Sequence, residues 1–299
     1  MCQGCVLSPN LFSIYGEIIL RTIMRMEGIK VSGVNINNIR YADDTVIIAD
    51  TSEKLQALVD VVKRESEKMG LKINIKKTEV VVASKNPEPP NCNIIINNTR
   101  IKQANNFVYL GSTISQDARP NREIERRILI AKNSFNSMKN LLTNNRMNIQ
   151  TRVRALKTYI WSTLMYGAES WTLNREMKMK LNAAEMWFYR RMLRVSWRDR
   201  VTNEEVLLRV GQRRSLLAEL RRRQMSFLGH VIRNEKMEHL CLSGMIEGRR
   251  ARGRQRIKYM DTIVEDLGRG MTTNQLLQLA RDRERWKQMA AHVEDMTLR

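Results

Sequence analysis

The spacing of apolar residues along the chain changes near residue 118. Before that point, short apolar runs alternate with turn residues, which predicts strands and hairpins together with two helices. After it, apolar residues recur at three- and four-residue steps, which predicts a series of amphipathic helices. The first of these follows Pro120, and its apolar face carries Ile124, Ile128, Ala131, Phe135, Met138 and Leu142. The pattern therefore predicts an α+β chain whose strands lie in the N-terminal part.

Two adjacent acids, Asp43 and Asp44, interrupt the strand-like pattern of the N-terminal part. They lie between Ile39 and the apolar run Val46–Ala49, which predicts a buried strand. Because acids are depleted from strands and repel each other, we expect a hairpin bend with both carboxylates at its tip. There they are free to hold a hard cation such as Mg²⁺. The alternative is that the acidic pair is ordinary turn chemistry.

Helix and strand signals surround this bend. Ser8 as cap and Pro9 in the first turn predict a helix that ends by Gly28. Ser52 as cap predicts a second helix, which Gly70 ends. The predicted apolar faces are Leu11, Tyr15, Ile18, Thr22 and Met26 in the first helix, and Leu55, Val59, Val62 and Met69 in the second. Other apolar runs predict strands at 71–74 and 80–83 and a hairpin at 94–101 that turns at Asn97 and Asn98.

The acidic pair is one of four sequence blocks that follow each other within about the first 115 residues. The blocks are Gln3–Pro9, Tyr41–Asp44, Gly70–Asn74 with Lys77–Glu79, and Tyr109–Gly111. In order and spacing they closely resemble the palm of reverse transcriptases from non-LTR (LINE-type) retrotransposons. The resemblance implies a partial palm of antiparallel hairpins with packed helices, followed by a helical thumb and a basic C-terminal region.

The resemblance also implies roles for individual residues. Asp43 and Asp44 would bind Mg²⁺ or Mn²⁺ for nucleotidyl transfer on an RNA template and a DNA primer. The residues implied to lie near the template or the nucleotide are Gln3, Gly4, Ser8, Pro9, Tyr41, Ala42 and Lys77, and those implied to grip the primer end are Tyr109, Leu110 and Gly111. Alternatively, Lys77 is a solvated loop lysine and Gly111 marks a turn before the helices.

Basic charge is concentrated in the second part of the chain. The net charge is +21 in total. Residues 1–118 carry 14 Lys or Arg and 12 Asp or Glu, a net charge of +2, whereas residues 119–299 carry 38 and 19, a net charge of +19. A region this basic is expected to bind a polyanion, and nucleic acid is the first candidate. Solvated arginine-rich helix faces explain part of the charge but not its imbalance.

An arginine-rich segment, residues 248–258, separates the predicted helices of the C-terminal region. Its basic residues are Arg249, Arg250, Arg252, Arg254, Arg256 and Lys258. Like charges and two glycines predict a flexible segment that binds phosphate groups. The run Arg252–Arg254 is similar to the core of an AT-hook, although Gln255 stands where that motif has proline. Nuclear import is another explanation of the same charges.

Further helices are predicted throughout the basic part. Their predicted ranges are 153–164, 177–195, 204–210, 216–231, 260–267 and 276–286. Thr202 begins a capping box for the third of these helices, and Gly211 ends it. Trp161, Trp171, Trp187 and Trp197 lie in or between the helices, which predicts core residues, with base stacking as the alternative.

The cysteines and histidines favour a reducing compartment and no zinc site. Four cysteines in 299 residues do not form a disulfide framework. Cys2 and Cys5 have a metal-like spacing but lack a second pair nearby, and His230, His239 and Cys241 lack a fourth partner. Because no apolar run approaches the roughly 20 residues of a membrane helix, we expect an intracellular protein, nuclear or cytoplasmic.

The resemblance begins in the middle of the polymerase domain. Family members place an Asp-bearing strand and the fingers upstream of the block that begins here at Gln3. Since two-metal catalysis needs a carboxylate from that strand, we expect a truncated reverse transcriptase that is inactive alone. The alternative is a non-catalytic nucleic-acid binder derived from such an element. The predicted domains are a partial palm at 1–118, a helical thumb at 119–200 and a basic helical region at 201–299.

Overall fold

The computed structural model describes residues 6–84, 88–213, 215–246, 257–267 and 270–291, which fall into two compact units. The hairpin unit comprises Met1–Ala118 and Met237–Arg252. The helical unit comprises Arg119–Lys236 and Gly253–Arg299. Helices and several small sheets together make this a mixed α and β chain, which is compatible with the α+β prediction.

The hairpin unit combines helices with short strands. Its elements up to residue 118 are α1 (Ser8–Arg21), β1 (Ile29–Val31), β2 (Val34–Ile36), β3 (Asn38–Tyr41), β4 (Asp44–Ile47), α2 (Ser52–Lys68), β5 (Glu79–Val80), β6 (Ile95–Ile96), β7 (Thr99–Arg100), β8 (Lys102–Gln103), β9 (Asn106–Tyr109) and β10 (Ser112–Ser115). Each strand pairs with one other strand, so the described residues form five separate two-stranded sheets. Four pairs are antiparallel hairpins, whereas β5 and β8 are parallel.

The sequence predicted two of these hairpins, the acidic one and the one at 94–101, and misplaced two strands. The hairpin at 94–101 is confirmed, and both turn residues have a positive φ, +50° at Asn97 and +59° at Asn98. The strand predicted at 71–74 is wrong, because these residues lead into a turn in which the carbonyl of Asn74 accepts from the amides of Lys77 and Thr78. The strand predicted at 80–83 is wrong beyond Val80, where β5 ends.

Helix α1 begins where the sequence predicts but ends at Arg21, well before Gly28. Its N-cap residue is Leu7 and not Ser8, and no side chain caps it. It ends at Arg21, and a side chain from outside the helix holds the segment that follows: the side-chain amide of Asn37 donates to the carbonyl of Ile23 at 2.6 Å. Asn37 also donates to the carbonyl of Met26 at 2.9 Å, so this buried side chain holds the segment after the helix.

The predicted apolar face of α1 is wrong. Leu11, Tyr15 and Ile18 are exposed, and the buried side chains at the end of the helix are Ile19, Leu20 and Ile23. These three pack with Leu58 and Val62 of α2 in one small cluster. The helix therefore rests on the unit through its last turn.

Helix α2 follows its predicted pattern more closely. Its N-cap is Thr51, one residue before the predicted cap, and the Thr51 hydroxyl accepts from the amide of Lys54 at 3.3 Å. Val59 packs in a second cluster with Ile94, Ile96 and other residues that follow the helix. Gly70 follows the helix with a φ of +74°, as its predicted role requires. Helix α2 thus lies between the two small cores of the hairpin unit.

The second part of the chain is helical. Its helices are α3 (Asn121–Ser137), α4 (Lys139–Leu142), α5 (Ile149–Ala155), α6 (Ser162–Leu164), α7 (Arg175–Leu193), α8 (Asn203–Val210), α9 (Leu216–Asn234), α10 (Met237–Ser243), α11 (Tyr259–Leu267), α12 (Thr273–Arg281) and α13 (Arg283–Ala291). Residues Leu156–Trp161 form a π-helical turn between α5 and α6. Helix α10 belongs to the hairpin unit, where the amide of Ser32 donates to the carbonyl of Met245 at 2.7 Å.

Most predicted helices of the basic part are confirmed with small changes, but the single helix predicted at 276–286 is wrong, because the chain breaks at Asp282 into α12 and α13. The apolar face predicted after Pro120 is buried or half-buried, but Met138 separates α3 from α4. The Thr202 hydroxyl accepts from the amide of Glu205 at 3.2 Å, and Gly211 ends α8 with a φ of +65°. One extended cluster of buried residues, which includes Phe135 and Phe188, joins α3 to the start of α9.

The tryptophans do not all lie in the core. Trp161 and Trp171 are 2% exposed, and Trp187 packs against the same cluster from its edge. Trp197 is 83% exposed, so the prediction of a core role is wrong at this position. It lies in the turn after α7, outside the periodic apolar pattern of the helices.

Candidate active site

The two adjacent acids lie at the tip of the β3–β4 hairpin, as predicted. Tyr41 pairs with Asp44 at the end of the ladder, and Ala42 and Asp43 form the two-residue turn. Ala42 has a φ of +52°, a conformation that costs a residue with a Cβ about 1 kcal/mol or more. All four of these residues are exposed. The hairpin therefore presents both carboxylates to solvent.

The strand that follows the acids is less buried than the sequence predicts. β4 ends at Ile47, and Val46–Ala49 are half-buried. The reason is that β3 and β4 form a sheet of only two strands, so no further strand lies beside β4 to bury it. Ile47 packs against both small cores, and Ala49 packs against the one that contains Leu58. The hairpin is thus held by the packing of the residues at the end of β4, and its acidic tip extends from the packed part.

Helix α1 contacts the hairpin at the strand that leads to the acids. The guanidinium of Arg40 donates to the carboxylate of Glu17 at 3.1 Å. A Cβ added to Gly16 would lie 2.9 Å from Nη1 of Arg40, so the absent side chain makes room for the arginine. Hydrogen bonding from Arg21 and the charges of Arg40 and Arg21 lower the pKa of Glu17. The apolar pattern did not predict this ion pair, although a glycine in the middle of a helix is a signal of close approach.

Tyr109, in the sequence block 109–111, contacts the acidic hairpin. Its hydroxyl donates to the backbone carbonyl of Asp44 over 3.5 Å, a long contact between residues 65 positions apart. Partial burial and the negative charge of Asp44 both raise the pKa of Tyr109. Leu110 and Gly111 form the turn of the β9–β10 hairpin with φ values of +47° and +76°. Gly111 therefore marks a turn, but between two strands and not before the helices.

The other residues of the resemblance are less closely connected to the acids. Lys77 is exposed in the turn after α2, and its amide donates to Asn74. Among the described residues, Lys77 forms no ion pair with Asp43 or Asp44. Ser8 and Pro9 begin α1, while Gln3 and Gly4 lie outside the described residues.

The remaining residues singled out in the sequence are those of the arginine-rich segment, the two histidines and Cys241. Arg249, Arg250, Arg252, Arg254 and Arg256 lie outside the described residues, and Lys258 is exposed just before α11. His230 is exposed on α9 of the helical unit, whereas His239 and Cys241 are on α10 of the hairpin unit.

The chemistry of the acidic tip fits a hard divalent cation. Neither Asp43 nor Asp44 forms an ion pair with a basic side chain of the described residues, so their oxygens remain available. Within those residues no three His, Cys, Asp or Glu side chains are grouped to hold a metal ion. Mg²⁺ is commonly held by one or two carboxylates together with water and substrate phosphates. The tip can supply that kind of partial site.

The N-terminal part of the chain matches a known protein family. Residues 1–114 match the family model described as reverse transcriptase (RNA-dependent DNA polymerase). This part of the chain is related to reverse transcriptases. The matched range includes all four of the sequence blocks, the acidic hairpin and the Tyr109 hairpin, so the resemblance seen in the sequence is confirmed.

Two relatives of the chain come from mobile elements. A transposon-derived protein of Caenorhabditis elegans is 25% identical over 270 residues, which cover 86% of this chain and 96% of that protein. A retrovirus-related Pol polyprotein of a type-2 retrotransposable element of Drosophila melanogaster is 33% identical over 111 residues. That alignment covers 37% of this chain and 10% of the polyprotein. The chain is therefore similar to proteins of mobile elements, and its residues 1–114 match a reverse transcriptase domain.

None of the described helices combines the length and the apolar character of a membrane-spanning helix.

Proposed function

We propose that the hairpin unit is palm structure of a non-LTR retrotransposon reverse transcriptase, in which Asp43 and Asp44 hold Mg²⁺ or Mn²⁺. The observation that carries this proposal is the exposed, unpaired acidic tip within the segment that matches the family. The chemistry is nucleotidyl transfer on an RNA template and a DNA primer. When bound, the cation supplies positive charge to the attacking and leaving oxygens of the displacement.

The residues of the chain have distinct tasks in this proposal. Asp43 and Asp44 orient the cation, and the β3–β4 ladder fixes the direction of the tip. The ion pair of Arg40 with Glu17 holds the strand that leads to the acids. Tyr109 limits the movement of Asp44 through its backbone carbonyl. Rigid support of this kind matters because a small displacement of a catalytic group lowers the rate strongly.

The two carboxylates alone make an incomplete catalytic site. Two-metal transfer uses more carboxylate oxygen than the tip offers, and the described residues contain no third ligand grouped with it. We therefore propose that the 299-residue polypeptide binds a cation weakly and does not extend a primer by itself. A carboxylate from another polypeptide segment would complete the site.

Cation binding can be tested without any enzymatic activity. In NMR spectra of the 299-residue protein, we expect Mn²⁺ to broaden the amide signals of Tyr41–Thr45 before all others. The variants Asp43→Asn and Asp44→Asn should lose this broadening. Asp60→Asn is the matched control, because Asp60 is an exposed acid of the same unit on α2. Equal broadening in Asp43→Asn and the parent protein would reject the metal site.

Primer extension tests the completeness of the site. On an RNA template with a DNA primer, we expect no incorporation of nucleotides by the 299-residue polypeptide. Incorporation that disappears in Asp43→Asn would show that a third ligand lies within this polypeptide. Incorporation that survives in Asp43→Asn would reject the assignment of Asp43.

A second candidate function is nucleic-acid binding without catalysis. It is favoured by the net charge of +19 on residues 119–299. Affinity for RNA or DNA should fall steeply with salt, because each neutralised phosphate releases condensed counterion. Deletion of residues 248–258 should weaken binding and reduce the salt slope. Binding that does not change with salt, or with the deletion, would count against this function.

A further inference from the structure

Trp197 is an exposed aromatic residue in a helical unit whose other tryptophans are buried or half-buried. It is 83% exposed, compared with 2% for Trp161 and 3% for Trp286. Leaving an indole in water costs free energy that burial would recover. A tryptophan that is fixed in an ordered turn and still exposed is therefore a candidate for contact with a ligand. The turn belongs to the helical unit, whereas the acidic tip belongs to the hairpin unit.

The turn that carries Trp197 is held in one conformation from both ends. The amide of Ser196 donates to the carboxylate of Asp199 at 2.6 Å, and the Ser196 hydroxyl accepts from the amide of Arg198 at 3.3 Å. At the far end, the guanidinium of Arg190 donates to the carbonyl of Val201 at 2.8 Å. The indole is therefore displayed by a fixed scaffold, which lowers the entropy lost when a ligand binds.

Arginines surround the indole in the sequence, and their charges are unpaired. The ones within six residues of Trp197 are Arg191, Arg194, Arg198 and Arg200, all exposed. None of them forms an ion pair with a carboxylate among the described residues. Asp199, the acid of the turn, is engaged by the amide of Ser196. The guanidinium of Arg198 lies 5.6 Å from the centre of the indole ring.

We propose that Trp197 is a stacking platform for an unpaired base of single-stranded nucleic acid, and that the neighbouring arginines bind its phosphates. A base offers a π-face to the indole, and the backbone offers anions to the guanidinium groups. Bases of a duplex are already stacked on each other, which leaves them unable to use the platform. A second copy of the chain would bring the same arginines against each other, so charge disfavours self-association here.

Nucleic acid is the partner both here and in the proposed function, but binding at Trp197 does not depend on the acidic tip. Binding of a fluorescent twelve-residue oligothymidine is therefore measured in EDTA, with the full 299-residue protein. Asp60→Asn, which changes an exposed acid of α2 outside the acidic tip, should bind as the parent does. Trp197→Ala should lose roughly 5- to 150-fold in affinity, since stacking of one base contributes about that much. A failure of metal binding at Asp43 would leave this result unchanged.

Matched variants separate stacking from other effects. Trp197→Phe should retain binding, because phenylalanine also stacks. Leu208→Ala, which removes a side chain that is 80% exposed on α8, should change the affinity less than twofold. In Arg198→Ala the dependence of log K on log salt should become shallower by about 0.7, whereas in Trp197→Ala the slope should stay the same. A blunt-ended duplex should bind the parent and Trp197→Ala equally.

Fluorescence gives a second measurement that does not depend on the alanine variant. Oligothymidine should quench the emission of the parent protein, and Trp197→Phe should bind without this quenching. The proposal is overturned if Trp197→Ala loses less than threefold, if it loses as much for the duplex as for the single strand, or if quenching persists in Trp197→Phe.

Discussion

The helical unit and the hairpin unit bury their apolar residues in different ways. Among the described residues, one cluster of 24 buried side chains joins α3 to α9, whereas clusters in the hairpin unit hold six and five. The hairpin unit instead uses specific polar links, such as Asn37 to the segment after α1 and Arg40 to Glu17. Small cores and two-stranded sheets are expected to open more readily than one continuous core.

The contrast also separates two kinds of polar residue. In the helical unit, Arg221 is 1% exposed and is paired with Asp266 of α11, which also pairs with Lys178. In the hairpin unit, Asp43 and Asp44 are exposed and unpaired. The buried charges hold helices together, whereas the exposed acids are available for a ligand. Position relative to the core therefore distinguishes a structural charge from a candidate catalytic one.

The largest expected effect comes from removing the partner of the buried arginine. Asp266→Ala should lower the free energy of unfolding of the helical unit by about 3–5 kcal/mol, because it leaves the charge of Arg221 buried and uncompensated. Native-state hydrogen exchange of α9 and α11 measures this loss. Asp261→Ala on the same helix is the control, since Asp261 is exposed. Similar losses in both variants would mean that the pair is not structural.

A core truncation in the hairpin unit should have the next largest effect. Leu58 of α2 is fully buried against residues at the end of α1. Leu58→Ala should therefore lower the free energy of unfolding of the hairpin unit by about 2–5 kcal/mol. Hydrogen exchange should accelerate in β3 and β4 while α3 and α7 keep their protection. Leu11→Ala is the control, because Leu11 is 45% exposed. Faster exchange in α7 as well would show that the two units unfold together.

The pH dependence of the helical unit can be tested at Tyr259. Its hydroxyl donates to the carbonyl of Glu169 at 2.7 Å, and burial raises its pKa above that of a free tyrosine. The unfolded chain ionises near pH 10, so the stability that Tyr259 contributes is complete below that pH and is lost as the pH rises further.

Tyr259→Phe should therefore do two things. At neutral pH it should cost about 1 kcal/mol through the lost hydrogen bond. Between about pH 9 and 11, its denaturant midpoint should fall less steeply than that of the parent protein. Parallel curves for the two proteins would contradict the role of the buried phenol.

The smallest expected effect is at the acidic turn. Because Ala42 has a positive φ, Ala42→Val should destabilise the hairpin unit by about 1 kcal/mol, whereas Ala42→Gly should leave its stability unchanged or raise it slightly. Exchange of the amides in β3 and β4 measures both changes. If valine is tolerated as well as glycine, the turn has a different conformation from the one described here.

Local patterns in the sequence determined much of the fold. The period of apolar residues located α3 and α7, and the paired asparagines located the β6–β7 turn, because both depend on neighbours along the chain. The acidic pair was placed at a hairpin tip for the same reason: two acids beside an apolar run require a turn. The sequence blocks also indicated the family, which the comparison with known proteins bears out.

Tertiary structure decided the features that depend on distant partners. Asn37 holds the segment after helix α1 through the carbonyls of Ile23 and Met26, and the end of the helix is buried because α2 lies there. Tyr109 reaches Asp44 only because two hairpins meet, and Trp197 is exposed because its turn lies outside the helical core. The sequence alone determined which residues favour turns, helices and acidic chemistry. Long-range packing chose which of them are buried, since burial depends on surfaces that meet only after the chain folds.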